Sequence, residues 1–413
     1  MSEYKHYRKA TLGIDRKKMY KLPWTKTDNP GGWVEVTDEC DLFCPGCYRH
    51  KLEGHRSLKE VKEDILACQK MTNCDRMGIA GGEPLLYPDI VEVVDFISYH
   101  EMKPMLLTNG EKLTWELASE LKKAGLAKFH FHVDSGMHRP GWMDKNEAEM
   151  NELRQHFADL VWELGKVQCG YNVTIFPSTV KYLPDIVEWC QNNIHKVQHI
   201  SLVTFRSIPI TQKIEYRINN KKIDPTVFQH STSDLRKISL SANEMFKTVA
   251  EHFSEYRACA YLGGTADPNS YKFLVTINVG SKNKMYGSLG PKTVELVQVF
   301  YHLFMGRYFE FLKNPAAGKK LFLLSFFDRE LRRAFFNFLK TTIKNPLKFW
   351  DKIYTQSISI QQPNELVNGE ANVCDGCVNM MMYKEKLINS CRLDEYRIFG
   401  GPLTAVYLGG SED

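Results

Sequence analysis

Along the first half of the chain, short apolar runs alternate with amphipathic stretches. Trp33-Val-Glu-Val-Thr37 alternates apolar and polar residues and predicts a first strand. Ser57-Leu-Lys-Glu60 has the spacing of a capping box and opens a predicted helix over 57–69. A strand is expected over 76–80, then a helix with Pro88 at its start. A third strand over 104–107 is closed by Thr108-Asn-Gly110, and a helix follows over 114–124. The same reading gives a strand over 128–133, a long helix over 147–164, a strand over 167–176, a helix over 183–193 and a strand over 200–205. Alternation of this length predicts an α/β fold, with parallel strands joined by right-handed crossovers.

The fourth strand carries the most information. In Phe129-His-Phe-His-Val-Asp134 the residues Phe129, Phe131 and Val133 share one face, and His130, His132 and Asp134 share the other. Helices should cover both flanks of a parallel sheet, so this polar face is expected to border a cavity. An edge strand with a wet face, or histidines satisfied in the core, is the alternative. His130 and His132 are therefore candidate catalytic residues, facing a substrate or a proton path.

The second half reads differently. Residues 206–240 are polar and show no period, and Ser241-Ala-Asn-Glu244 opens a predicted helix to about Phe253. An extended run is expected over 271–278. Gly263-Gly264 has no phosphate-loop pattern around it and is assigned no nucleotide. A helix rich in Val, Leu, Phe and Tyr is expected over 294–312, and a second over 319–344. In the second, Arg329, Arg332, Arg333, Lys340 and Lys344 fall opposite Leu331, Ala334, Phe335 and Phe338. Such a helix either lies in a membrane interface or packs its apolar side on the rest of the protein.

At 413 residues the chain has room for more than one domain. We divide it into a basic lead-in (1–32), a core (33–230), a helical basic-amphipathic region (231–360) and a Cys-rich extension (361–413). The net charge of +5 is too mild to call for nucleic acid. The start of the chain is polar and basic, without an apolar core, so a cytoplasmic location is expected, with a peripheral place on the inner membrane face if the basic helices dock there. Eleven cysteines then point to metal or cluster binding rather than disulfides.

Three of these cysteines stand together in Cys40-Asp-Leu-Phe-Cys44-Pro-Gly-Cys47. Three thiolates on one loop can hold three irons of a cubane cluster and leave the fourth open to a chelating molecule. A zinc knuckle, with His50 as fourth ligand, is the alternative, and would make the chain a zinc-stabilised binding protein. One strand and helix later comes Ile79-Ala80-Gly81-Gly82-Glu83-Pro84, whose glycines permit close backbone approach and whose carboxylate can accept from an ammonium group.

Together the two motifs resemble the radical S-adenosylmethionine (SAM) superfamily. The resemblance implies a partial (β/α)6 TIM-like barrel with its site at the carboxyl ends of the strands. It implies that Cys40, Cys44 and Cys47 hold a [4Fe-4S] cluster, and that Gly81, Gly82, Glu83 and Pro84 contact SAM. Asp134 and Ser135 are further SAM candidates, with Asn109 and Asn172 near the same rim. Gly46 departs from the aromatic residue that many members carry before the third cysteine, and Tyr48 follows instead. A reductant such as flavodoxin or ferredoxin is implied as electron donor, and reductive cleavage of SAM to a 5′-deoxyadenosyl radical as the chemistry.

Near the end, Cys374-Asp-Gly-Cys377 precedes a predicted hairpin over 380–389 and then Cys391. This is similar to the auxiliary-cluster extensions of superfamily members that act on peptides. It implies a second iron–sulfur cluster, with Cys259, another distant cysteine or an outside group as fourth ligand; zinc is the alternative. The expected substrate is hydrophobic or lipid-like, taken at an anionic membrane surface, because of the basic amphipathic helices. A peptide or protein side chain is the second expectation.

Overall fold

The structure, a computed structural model, describes residues 14–45, 47–50, 53–205, 207–234, 240–312, 314–363 and 365–408. Much of the N-terminal lead-in, residues 1–13, and Gly46 therefore lie outside the described residues.

Six parallel strands form where the hydrophobic pattern places them. They are β1 (Gly31–Thr37), β2 (Arg76–Gly81), β3 (Lys103–Thr108), β4 (Lys128–His132), β5 (Gln168–Ile175) and β6 (Val197–Thr204), paired in that order. Between them run α1 (Leu58–Thr72), α2 (Ile90–Tyr99), α3 (Trp115–Lys123), α4 (Asn151–Leu164) and α5 (Leu183–Asn192). The capping box is present: the Ser57 hydroxyl accepts from the Glu60 N–H, and the Glu60 carboxylate accepts from the Ser57 N–H. One core is shared by Val61, Ile65 and Cys68 of α1, Val93 and Ile97 of α2, Phe157 and Val161 of α4, and the strand residues Val34, Ile79, Leu106, Phe129, Phe131 and Val173. Each fully buried aliphatic or aromatic side chain contributes ~1.5–3 kcal/mol, so this shared layer fixes the register of the strands.

The sheet continues beyond these six strands. After α6 (Ala242–His252) come β7 (Ala260–Leu262), β8 (Phe273–Ser281) and β9 (Lys284–Ser288). A strand that the sequence pattern did not announce, β10 (Tyr354–Gln361), lies parallel to β6 and antiparallel to β8. At the opposite edge the predicted hairpin forms as β11 (Met380–Tyr383) and β12 (Lys386–Asn389), and β11 pairs in parallel with β1. The result is one sheet of thirteen strands that curls without closing, a partial barrel extended at both edges.

The helical stretch is shorter and more broken than its periodicity suggests. α7 (Pro291–Met305) stops at Gly306, whose φ of +69° makes a left-handed cap. The helix expected over 319–344 becomes a turn of α-helix (Gly318–Leu321), a 3-10 stretch (Phe322–Phe326) and then α8 (Arg329–Lys344). Asp328 causes the break. Its buried carboxylate accepts from the N–H groups of Leu331, Gly290 and Thr293, so it caps α8 and holds the start of α7 at the same point. Leu331, Ala334 and Phe338 of α8 then pack on Val279, Tyr286 and Phe322.

Candidate active site

The inner face of the partial barrel encloses a chamber of about 940 Å³. Phe129, Phe131 and Val133 turn outward into the core, while His130, His132 and Asp134 line the chamber. Asn172 and Thr174 of β5 line it beside them.

At the carboxyl rim, Cys40, Cys44 and Cys47 lie half-buried on the loop after β1 and face the chamber with Gly81, Gly82 and Glu83. The two glycines are required by the chain's own backbone. A Cβ at Gly81 would sit 2.3 Å from the Thr37 carbonyl oxygen, and one at Gly82 would sit 2.1 Å from that of Glu39. The turn is thereby bonded to the start of the cysteine loop, with Gly82 N–H donating to Thr37 (2.8 Å) and Glu83 N–H to Glu39 (2.6 Å). Glu83 is buried and accepts from the Thr108 hydroxyl (2.5 Å), the Asn109 N–H (2.7 Å) and the Leu85 N–H (3.0 Å). A carboxylate has about four acceptor sites, so one is left for a ligand. Burial pushes the Glu83 carboxyl up to about 7, against these hydrogen bonds. The Asn109 side chain donates to Asp41 (2.7 Å), tying the end of β3 to the cysteine loop.

Asp134 accepts from Gly136 N–H (2.9 Å) and Thr174 N–H (3.0 Å) and pairs with His132 (2.8 Å). Burial alone would lift its carboxyl, but His132 and Thr174 hold it below the ordinary value. Ser135 is not brought to the chamber: its N–H and hydroxyl both donate to the buried Glu147, which is paired with Arg154. Pro84 is buried behind the rim, where it starts a 3-10 turn.

Cys374, Cys377 and Cys391 also line the chamber. Burial raises the Cys374 thiol, and the neighbouring Cys377 and Cys391 raise it further. The Cys377 thiol is pushed up to about 11 by burial and by Cys391. Three close thiols that oppose one another's ionisation suit a cationic body placed among them. Among the described residues, no three His, Cys, Asp or Glu side chains close on a single ion. Cys259 does not line the chamber. Its thiol lies in an apolar pocket with Leu22 and Val294, is bonded to the Val275 carbonyl (3.2 Å) and is pushed up to about 12 by burial.

Several residues that the sequence reading missed complete the wall. Two residues after Cys47, the buried Arg49 pairs with Glu35 (2.6 Å), Asp38 (2.8 Å) and Asp394 (2.7 Å), and Arg397 also pairs with Asp38 (2.6 Å). This network locks the cysteine loop to the C-terminal extension. At the other end of the barrel, residues 307–312 cross beneath the starts of β2 to β5. Arg76 pairs with Glu310 (2.7 Å), Lys103 donates to the Phe311 carbonyl (2.9 Å), and Gln168 donates to Leu312. The Lys128 ammonium lies 4.0 Å from the Phe311 ring centroid, and burial pushes it down to about 8. Burial, with Lys128 and Arg76 nearby, holds His130 and His199 well below the usual histidine value, so both are neutral.

A partial barrel with cysteine thiols and a glycine turn at its carboxyl rim defines a class of cofactor-bearing α/β protein. Residues 34–190 match the family model of the Radical SAM superfamily. It is 27% identical over 174 residues to a probable GTP 3′,8-cyclase of Methanocaldococcus jannaschii, which covers 38% of this chain and 54% of that protein. It is 36% identical over 104 residues to a probable GTP 3′,8-cyclase of Pyrococcus abyssi, covering 25% and 34%. The chain thus spans about half or less of the length of these two curated relatives. Among solved structures it is similar to Streptococcus suis SuiB bound to its precursor peptide SuiA, with a TM-score of 0.40 and 15% identity over 61% of this chain and 50% of that one.

Proposed function

We propose that the chain is a radical SAM enzyme acting on an unactivated carbon of a hydrophobic, lipid-like substrate. In this reading Cys40, Cys44 and Cys47 hold a [4Fe-4S] cluster, Gly81 to Glu83 with Asn109 and Asp134 hold SAM, and Cys374, Cys377 and Cys391 hold a second cluster. When bound, the first cluster and SAM together would supply a 5′-deoxyadenosyl radical, with the electron drawn from a flavodoxin or ferredoxin. The protein's part is to place the substrate carbon and keep water away. Neutral His130 and His199 line the chamber without adding charge, and His132 is held by Asp134 and is free to pass a proton at Nδ1.

The observation that carries the substrate class is the wall formed by Phe300, Phe304, Phe309, Phe311 and Leu312. The relatives' name raises a nucleoside triphosphate as a substrate. The chamber offers it little: Arg49, Arg76 and Lys272 are each paired with a carboxylate, and Lys128 rests on an aromatic ring. A peptide side chain is the second reading, favoured by the cysteines of the extension. Deuterium transfer decides between them. Perdeuterated acyl lipid should give deuterium in 5′-deoxyadenosine; product that stays unlabelled with lipid present contradicts the lipid reading.

Glu83 gives a pH prediction. Its raised carboxyl is protonated below about 7. A SAM ammonium needs the ionised form, so SAM affinity should rise between pH 6 and 7.5, before an α-amino group titrates near ~8. Glu83→Gln should flatten that rise and weaken binding by about 10- to 100-fold, the value of a charge-assisted hydrogen bond. The same shift sets a stability slope. A carboxyl raised when folded favours the native state fully below its ordinary value of 4.5, and that contribution is lost as pH climbs through about 7. Calorimetric titration of SAM across this range, with both proteins, checks the first expectation.

The extension gives a second. Cys374→Ala, Cys377→Ala and Cys391→Ala together should remove the extension's share of the iron and leave SAM cleavage in place, because the hairpin stays bonded to β1 through Met380 and Met381. Iron analysis and product assay on the same sample check it; zinc in the wild-type site would remove the second cluster.

A further inference from the structure

The outer surface of residues 299–350 is apolar to an extent that packing does not explain. Leu303 (69% exposed), Phe304 (76%), Leu323 (76%), Phe326 (81%), Ile343 (80%) and Trp350 (78%) are all open. Asp328 bonds the start of α8 to the start of α7, and these side chains lie on the two helices and on the segments flanking α8. Apolar patches of this kind on a protein surface mark interaction sites.

Two further observations identify the occupant. The first is charge. Over residues 314–350 the chain has eight Lys and Arg and two acidic residues, Asp328 and Glu330. Asp328 is consumed as a buried cap, and Arg329, Arg332, Arg333, Lys340 and Lys344 are exposed. A second copy of the same basic face would be repelled, whereas an anionic bilayer is complementary in both charge and polarity. No helix among the described residues is long and apolar enough to cross a membrane. The second is continuity with the chamber. Phe300, Phe304 and Met305 line the chamber and are at the same time half or more exposed. Residues that do both frame an opening.

We propose that this face docks on an anionic phospholipid bilayer and that Phe300, Phe304 and Met305 form a portal through which an acyl chain passes from the membrane into the chamber. The proposal rests on the lipid-like substrate reading for its purpose, but docking and portal are measured without reductant or SAM, so each can fail separately from the chemistry. α7 offers its inner side to the chamber and Val299 and Leu303 to the lipid. The basic side chains of α8 sit at headgroup level, and Trp350 anchors the interface.

The test uses the full chain and vesicles of phosphatidylcholine alone or mixed with phosphatidylglycerol. Co-sedimentation should require phosphatidylglycerol, weaken with salt, and fall on the order of 100-fold when Arg329, Arg332 and Arg333 become Gln, since each surface cation near such a membrane contributes about fivefold. The portal has its own readout. Phe304→Trp should gain fluorescence that is quenched by phosphatidylglycerol brominated in its acyl chains, beyond the quenching of the wild-type tryptophans. A protein that ignores anionic vesicles at low salt, or that buries this face by self-association in sedimentation velocity, overturns docking. Binding with no added quenching at position 304 overturns the portal.

Discussion

A chain in which Cys40, Cys44 and Cys47 are all alanine is expected to form no 5′-deoxyadenosine from SAM under reducing, anaerobic conditions. It should nevertheless fold. The three thiols are half-buried on a loop, and none belongs to the core that α1 to α5 make with the sheet. Circular dichroism should therefore match the wild type. Iron held by Cys374, Cys377 and Cys391 should survive, because that triad is carried by a hairpin bonded to β1 rather than by the first loop. Product formation by this variant would remove the radical-generating role from the loop.

Arg49→Ala is expected to cost ~3–5 kcal/mol in stability, the range for removing one partner of a buried ion pair. Arg49 is 4% exposed, and Glu35 beside it is 3% exposed. Burial already lifts the Glu35 carboxyl, and Arg49 is the main charge opposing that rise. Without the guanidinium, Glu35 and Asp394 are left facing each other in a dry site. The loss should be partly restored by adding Glu35→Gln and Asp394→Asn, which removes the stranded charges. Denaturant unfolding of the two proteins measures it. A single substitution that costs under ~1 kcal/mol, the worth of a surface pair, would mean the network is solvated. Because Asp394 also accepts from the His50 N–H, the same variant should loosen the cysteine loop from the extension.

The six core strands were legible because each buries a continuous apolar face between helices of clear amphipathic period. The polar side of β4 was legible for the same reason in reverse: His130, His132 and Asp134 alternate with residues that must be inside. β10 was not. In Thr355, Ser357, Ser359 and Gln361 the inward side is polar, since it faces the chamber, so the run reads as an exposed segment. Its partner β6 is more than one hundred and fifty residues away in register, as Ser357 opposite His199 illustrates, and no local signal encodes that pairing. The break before α8 was written in Asp328, a strong cap residue in the middle of an apolar run. Periodicity alone passes over such a residue.

The site was legible where chemistry forces residue type, and less so where geometry does. The cysteines, the glycine turn, Glu83, Asn109, Asp134 and Asn172 come to one chamber. Ser135 and Cys259 do not, because Glu147 and the Val275 carbonyl occupy them. The two glycines serve the packing of the turn on the residues before Cys40, a need that only the folded backbone displays. Arg49 and the crossing segment 307–312 carry no motif. Their roles come from long-range ion pairs that sequence spacing cannot mark.

The most direct measurement of the central claim is product formation by the wild-type chain. Purified without oxygen, reconstituted with iron and sulfide, and reduced in the presence of SAM, it should yield 5′-deoxyadenosine and methionine, with an iron–sulfur spectrum that changes on adding SAM. A protein that holds zinc in place of iron and leaves SAM intact would contradict the account.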